Sequence, residues 1–231
     1  MHACLTNKKV ILFDLYHTLT ALESTWVDNR PFTYQLLGVD KEAWLYQVLQ
    51  NSPDRLTGKK TDPFEIVSEM ARNIDPDITD DLIQRAVENR TARVANALSN
   101  VPDETLAVLR HFKSQGKTLA LISNADAMEA EPWSRSPMAA YFDHIFFSCD
   151  VGYAKPDLRI YRLCLDTLGI DAADAVFIGD GGSNELHGAQ QVGLATIMIT
   201  GIISEFWPEK VPERRQHADY EIEWLRELIS A

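Results

Sequence analysis

The chain has 231 residues, 45% of them hydrophobic and 24% charged, with a net charge of −12 and a pI near 4.9. That balance supports a sizeable packed core and excludes long disorder. An acidic surface without a basic stripe excludes nucleic acid and anionic membranes as partners, but leaves room for a small anionic metabolite.

In chain order, Val10–Phe13 is a continuous apolar run that stops abruptly at Asp14, as expected of a strand buried on both faces of a parallel sheet. Similar runs follow at Thr118–Ile122, His144–Phe147, Ala175–Ile178 and Ala195–Ile199. Helical patterns alternate with them. One opens at Pro102 and stops before Gly116, a second runs from Pro156 to Leu168, and a third from Ser183 to Val192. The alternation predicts an α/β fold, a parallel sheet with helices on both faces.

Residues 20–98 break the pattern. Helix-like stretches at 26–37, 41–50, 63–73 and 79–98 contain no buried-strand run, and predict a helical module inserted into a core made of 1–19 and 99–231. Its aromatics, Trp26, Phe32, Tyr34, Trp44, Tyr46 and Phe64, read as the module's own core. The tail from 201 reads as a Pro-punctuated loop, an edge strand at Tyr220–Ile222 and a final amphipathic helix, packed on the core without a chemical role.

Cys4, Cys149 and Cys164 form no CxxC pair and read as reduced structural thiols. The first residues carry no apolar signal-peptide core, and no apolar run approaches the roughly 18 residues of a membrane span. The expected setting is cytoplasmic, as a monomer or homodimer.

Ligands of such sheets bind beyond the carboxyl ends of the strands. The first strand delivers Asp14, with Tyr16 and Thr18 behind it. The second ends at Ser123-Asn124, the third is followed by Lys155-Pro156, and the fourth ends in Gly179-Asp180-Gly-Gly-Ser-Asn-Glu185. Together these residues fit phosphoryl transfer. A carboxylate such as Asp14 can attack phosphorus and split hydrolysis into two easier steps. Two anions must then meet, so a cation is needed, and magnesium held by Asp14 and Asp180 suits the task, with Glu185 as a third ligand or an outer partner. Lys155 and Ser123 would hold the transferring group.

Phe13-Asp14-Leu-Tyr16-His-Thr18-Leu19, Ile122-Ser123-Asn124, Lys155-Pro156-Asp157 with Ile160-Tyr161, and Gly179-Asp180 with Gly188-Ala189 resemble the four ordered motifs of the haloacid dehalogenase superfamily. The resemblance spans residues 10 to 193. It implies a Rossmann-like core with a small helical cap between the first and second motifs. It also implies Asp14 as nucleophile and metal ligand, the backbone carbonyl of Tyr16 as a further ligand, Asp180 completing a Mg2+ site, and Ser123, Asn124 and Lys155 around a phosphate ester.

Phosphatases of that superfamily carry a second aspartate where this chain has Tyr16. A phenol with an ordinary pKa near 10 is a poor base, though it can donate a proton or orient water. The superfamily's metal-independent dehalogenases share that tyrosine but lack the Gly-Asp pair. Asp180 therefore favours a phosphomonoesterase, with a 2-haloacid dehalogenase and a non-catalytic binding module as the alternatives. His17 stands where glycine is common and reads as a hinge residue that could also replace the missing acid. Arg30, Arg55, Lys59 and Lys60 read as solvated, with recognition of a distal substrate group as their alternative.

Overall fold

The computed structural model describes residues 5–23 and 29–230. Cys4 and Trp26, and the start of the stretch predicted as a helix over 26–37, lie outside them. Six parallel strands form one sheet: β1 (Val10–Phe13), β2 (Thr118–Ser123), β3 (His144–Phe147), β4 (Ala175–Gly179), β5 (Ala195–Ile199) and β6 (Tyr220–Ile222), in the order β3-β2-β1-β4-β5-β6. The fold is Rossmann-like α/β. The five apolar runs and the edge strand lie where their patterning placed them.

The central strand β1 is buried along its whole length because both faces are covered. Ile11 and Phe13 point into one cluster with Val108, Leu109 and Phe112 of α6 (Asp103–Ser114). Val10 and Leu12 point into the other, with Ile160, Tyr161 and Cys164 of α9 (Leu158–Leu168) and Leu186 and Ala189 of α10 (Glu185–Gln191). Strand order runs outward from β1 to β2 and β3, then returns to place β4 on the other side of β1. The crevice at that reversal, where such sheets bind ligands, lies between the ends of β1 and β4.

The segment between β1 and β2 holds α1 (Thr33–Leu37), α2 (Lys41–Leu49), α3 (Pro53–Leu56), α4 (Pro63–Arg72) and α5 (Asp80–Ser99). Local chemistry sets their starts: the Asp40, Asp62 and Thr79 side chains accept from backbone N–H groups of α2, α4 and α5, and Pro63 occupies the first turn of α4. Leu37, Trp44, Ile66, Met70, Ile83 and Ala86 bury a cluster of their own, joined from the sheet side by Met128. Tyr34 and Phe64 pack against it, but Tyr46 is half exposed and outside that core. Among the described residues, the first predicted helix begins at Thr33, with 29–32 non-helical.

Two further differences concern the ends of elements. Ser183 and Asn184 have left-handed backbones (φ 53° each), so α10 starts at Glu185 and not at Ser183. In the tail, the loop expected after 200 holds α11 (Gly201–Phe206) and α12 (Val211–Arg215), and the expected last helix is a short 3-10 turn, Leu225–Leu228. Prolines at 208 and 212 mask these two helices in the sequence, yet Pro208 opens a separate 3-10 turn, Pro208–Lys210, after α11 has ended, and Pro212 lies in the first turn of α12, where no N–H is required.

Candidate active site

The carboxyl ends of β1, β2 and β4 open into a cleft of about 970 Å3 between the sheet and the helices α1, α2, α3 and α5, with α11 and α12 along one side. Asp14 stands at the tip of β1, its N–H bonded to the Ile178 carbonyl of β4 (2.9 Å). Thr18 donates to Asp14 Oδ2 (3.0 Å), which fixes one carboxylate oxygen and leaves the other for Lys155.

Lys155 is 4% exposed, and its Nζ bridges Asp14 Oδ1 (2.6 Å) and Glu185 Oε2 (2.5 Å). Burial alone would lower its pKa, but the carboxylates of Asp14 and then Glu185 overcome that and hold the ammonium above its ordinary range. The side chain of Asn124 brackets the Lys155 backbone, accepting from its N–H (2.7 Å) and donating to its carbonyl (2.9 Å). Asn124 thus positions Lys155, a role distinct from the phosphate contact expected of it.

Glu185 is buried at the start of α10. Its Oε1 accepts from Gly181 N (3.0 Å), and Tyr161 Oη donates to its carbonyl (2.8 Å). A Cβ at Gly179 would lie 2.2 Å from Glu185 Oε1, so only glycine lets this carboxylate fold back over the end of β4. Burial and then the nearby Asp14 charge push its carboxyl well above the usual range.

Asp180 accepts from Gly182 N (2.9 Å) and from the guanidinium of Arg214 on α12. Burial would raise its pKa, but Arg214 and then His17 hold it below the usual carboxylate range. Arg214 reaches it across Gly181, whose φ of 82° and missing side chain both matter, since a Cβ there would meet that of Arg214 at 2.8 Å. The tail therefore enters the site, contrary to its expected lack of a chemical role; nothing in its local sequence announces a contact 34 residues away.

One carboxylate oxygen from each of Asp14, Asp180 and Glu185 lies within 4.8 Å of the other two. Three buried, oxygen-only donors in so small a space form a hard-cation set that could hold a metal ion. Ser123 Oγ is buried without a hydrogen-bond partner and lines this cleft, a donor left over by the fold.

Tyr16 Oη is likewise buried and unpartnered, and burial, with the Glu129 charge next, pushes the phenol well above its ordinary pKa. His17 has a left-handed backbone (φ 63°), which explains why glycine suits this position. Its Nε2 contacts Glu23 (2.9 Å), its Nδ1 lies 3.7 Å from Asp180, and its ring meets Trp207 edge-on. Burial opposes protonation, yet Glu23 and then Asp180 raise its pKa to about 9.

Above the site, Arg55 of α3 bonds Asp126 (2.8 Å), and Arg90 of α5 bonds Asp126 (3.3 Å) and Glu129 (2.5 Å). Asp126 and Glu129 belong to the loop and short helix α7 (Ala127–Ala130) that follow β2. Arg55 is 4% exposed and is not the solvated residue expected; Lys59 is exposed beside Asp54, and Lys60 pairs with Glu69.

Residues 8–193 match the family model described as haloacid dehalogenase-like hydrolase. The chain belongs to that family. It is 27% identical over 113 residues to a phosphoserine phosphatase of Thermus thermophilus, covering 48% of this chain and 45% of the relative. It is also 27% identical over 128 residues to a glyceraldehyde 3-phosphate phosphatase of Methanocaldococcus jannaschii, covering 54% and 53%. The chain thus spans about half the length of these curated relatives. The crystal structure of a dehalogenase superposes with a TM-score of 0.69 at 22% identity over 96% of both chains, a likeness of fold. Among the described residues, no helix is long and apolar enough to cross a membrane.

Proposed function

We propose that the protein is a magnesium-dependent phosphomonoesterase of the cytoplasm, acting on a small phosphorylated metabolite through a phospho-Asp14 intermediate. The observation that carries this reading is the buried Asp14–Asp180–Glu185 triad, because displacing halide from carbon has little use for a second and third carboxylate. Bound magnesium, held by Asp14, Asp180, the Tyr16 carbonyl and Glu185, supplies the positive charge that lets a phosphate dianion approach the Asp14 carboxylate.

The chain's own residues do the rest. Asp14 attacks phosphorus as the bond to the ester oxygen breaks and that oxygen takes a proton to leave as the alcohol; water then cleaves the acyl phosphate, releasing inorganic phosphate and a proton and regenerating the carboxylate. Lys155 orients Asp14 and neutralises charge on the transferring group. Ser123 Oγ donates its unused hydrogen bond to a phosphoryl oxygen. Tyr16 keeps its proton at neutral pH, so any part it takes is as donor. Residues 20–98 act as a cap closing over the core formed by 1–19 and 99–231.

A second reading, a 2-haloacid dehalogenase forming an Asp14 ester, is favoured by Tyr16 and by the relatives' phosphatase names not at all. It predicts halide release that survives EDTA. The test is hydrolysis of an aryl phosphate with and without magnesium. Turnover that needs magnesium and disappears in Asp14→Asn is expected; turnover unaffected by EDTA contradicts the proposal.

A further inference from the structure

Apolar side chains buried in a core are explained by folding, whereas those left on the wall of a cleft report on what the cleft holds. Leu45 and Leu49 of α2, Leu56 of α3 and Phe206 of α11 all line the cleft above Asp14, and none is part of the three packed clusters. Leu45 and Leu49 are one turn apart, beside Trp44 and Val48, which touch the cleft but pack into the helical core. Leu49 is 58% exposed.

The buried cations of the same cleft are already engaged. Arg55 and Arg90 pair with Asp126 and Glu129, Lys155 with Asp14 and Glu185, and Arg214 with Asp180. Arg93 donates to the carbonyls of Arg30 and Leu22. A second anionic group that met one of these buried cations would strand its carboxylate; among the described residues, only the exposed Lys41 and the half-buried Lys210, on the cleft wall, could meet one without that cost. An apolar group breaks nothing and removes leucine and phenylalanine surface from water.

We infer that the substrate of the Asp14 site carries an apolar organic group beside its phosphate, seated against Leu45, Leu49, Leu56 and Phe206. The inference rests on the phosphatase reading and narrows its substrate class to esters of apolar alcohols, against polyols and hydroxy acids.

The test compares n-hexyl phosphate with glycerol 3-phosphate and 3-phosphoglycerate, all esters of primary alcohols with similar leaving groups. Hexyl phosphate is expected to be preferred by about tenfold or more in kcat/KM, since each buried methylene adds several-fold. Leu45→Asn and Leu49→Asn should each shrink that preference, chiefly through KM. A preference for either polar ester overturns the inference. So does a dimer in light scattering that Leu49→Asn dissociates, because the leucines then serve a subunit contact. If no ester is turned over, the phosphatase reading falls separately, and calorimetry with hexylphosphonate and 3-phosphonopropionate decides. Tighter binding of hexylphosphonate upholds the apolar seat; equal or weaker binding, or none, overturns it.

Discussion

Single side chains around Asp14 differ sharply in how fully they are used. Tyr16 Oη makes no hydrogen bond although it is buried, so its removal gives up no partner and relieves one unsatisfied polar atom. Tyr16→Phe is therefore expected to leave thermal stability unchanged or slightly raised. A loss of more than about 1 kcal/mol on unfolding would mean that the hydroxyl has a partner in solution. Arg214 is the opposite case, a cation spent on a candidate metal ligand. Arg214→Gln should tighten magnesium binding by about tenfold, or ~1.4 kcal/mol, in calorimetry. Equal or weaker binding would instead give Arg214 the role of holding Asp180 in place. The residues at strand ends, Asp14, Ser123 and Asp180, could be singled out from sequence because an apolar run that stops at a polar residue marks its own end. Arg214, Arg55 and Arg90 could not, since their partners lie 34 to 71 residues away and a lone arginine in a helix looks solvated.

At the scale of elements, the strands were legible because burial on both faces leaves unbroken apolar runs, and α4 and α5 because their caps and periodic apolar faces agree. Short tail helices with little apolar face were not. The inserted helices meet the core through ion pairs as well as apolar packing: Arg55 and Arg90 reach from α3 and α5 to Asp126 and Glu129 after β2, while Val94 and Leu98 of α5 pack into the sheet's cluster. All four charged groups are buried, so removing one partner leaves a charge uncompensated. Arg90→Met is expected to cost about 3 kcal/mol or more in urea unfolding, because Glu129 loses its short contact. A cost below about 1 kcal/mol would show that the inserted helices are held mainly by apolar packing, such as Met128 in their core.

For the whole molecule, chain topology and charge converge on one place. The reversal of strand order sets Asp14 and Asp180 side by side, and folding gathers three carboxylates there against the cations Lys155, Arg214 and His17. A metal ion held by these carboxylates would tie stability to its binding. Magnesium at 100 times its Kd should stabilise the fold by about 2.7 kcal/mol, a rise in Tm of roughly 5–10 °C for a chain of this size. The rise should vanish with EDTA and in Asp180→Asn; a similar rise in that variant would place the metal elsewhere. The central claim is that Asp14 accepts a phosphoryl group, and rapid-quench mass spectrometry after mixing with an aryl phosphate and magnesium tests it most directly. The account predicts a transient, hydroxylamine-labile phosphoryl adduct on the peptide that contains Asp14. Hydrolysis with that peptide unmodified throughout, or an organic ester on Asp14 after mixing with a 2-haloacid, would contradict it.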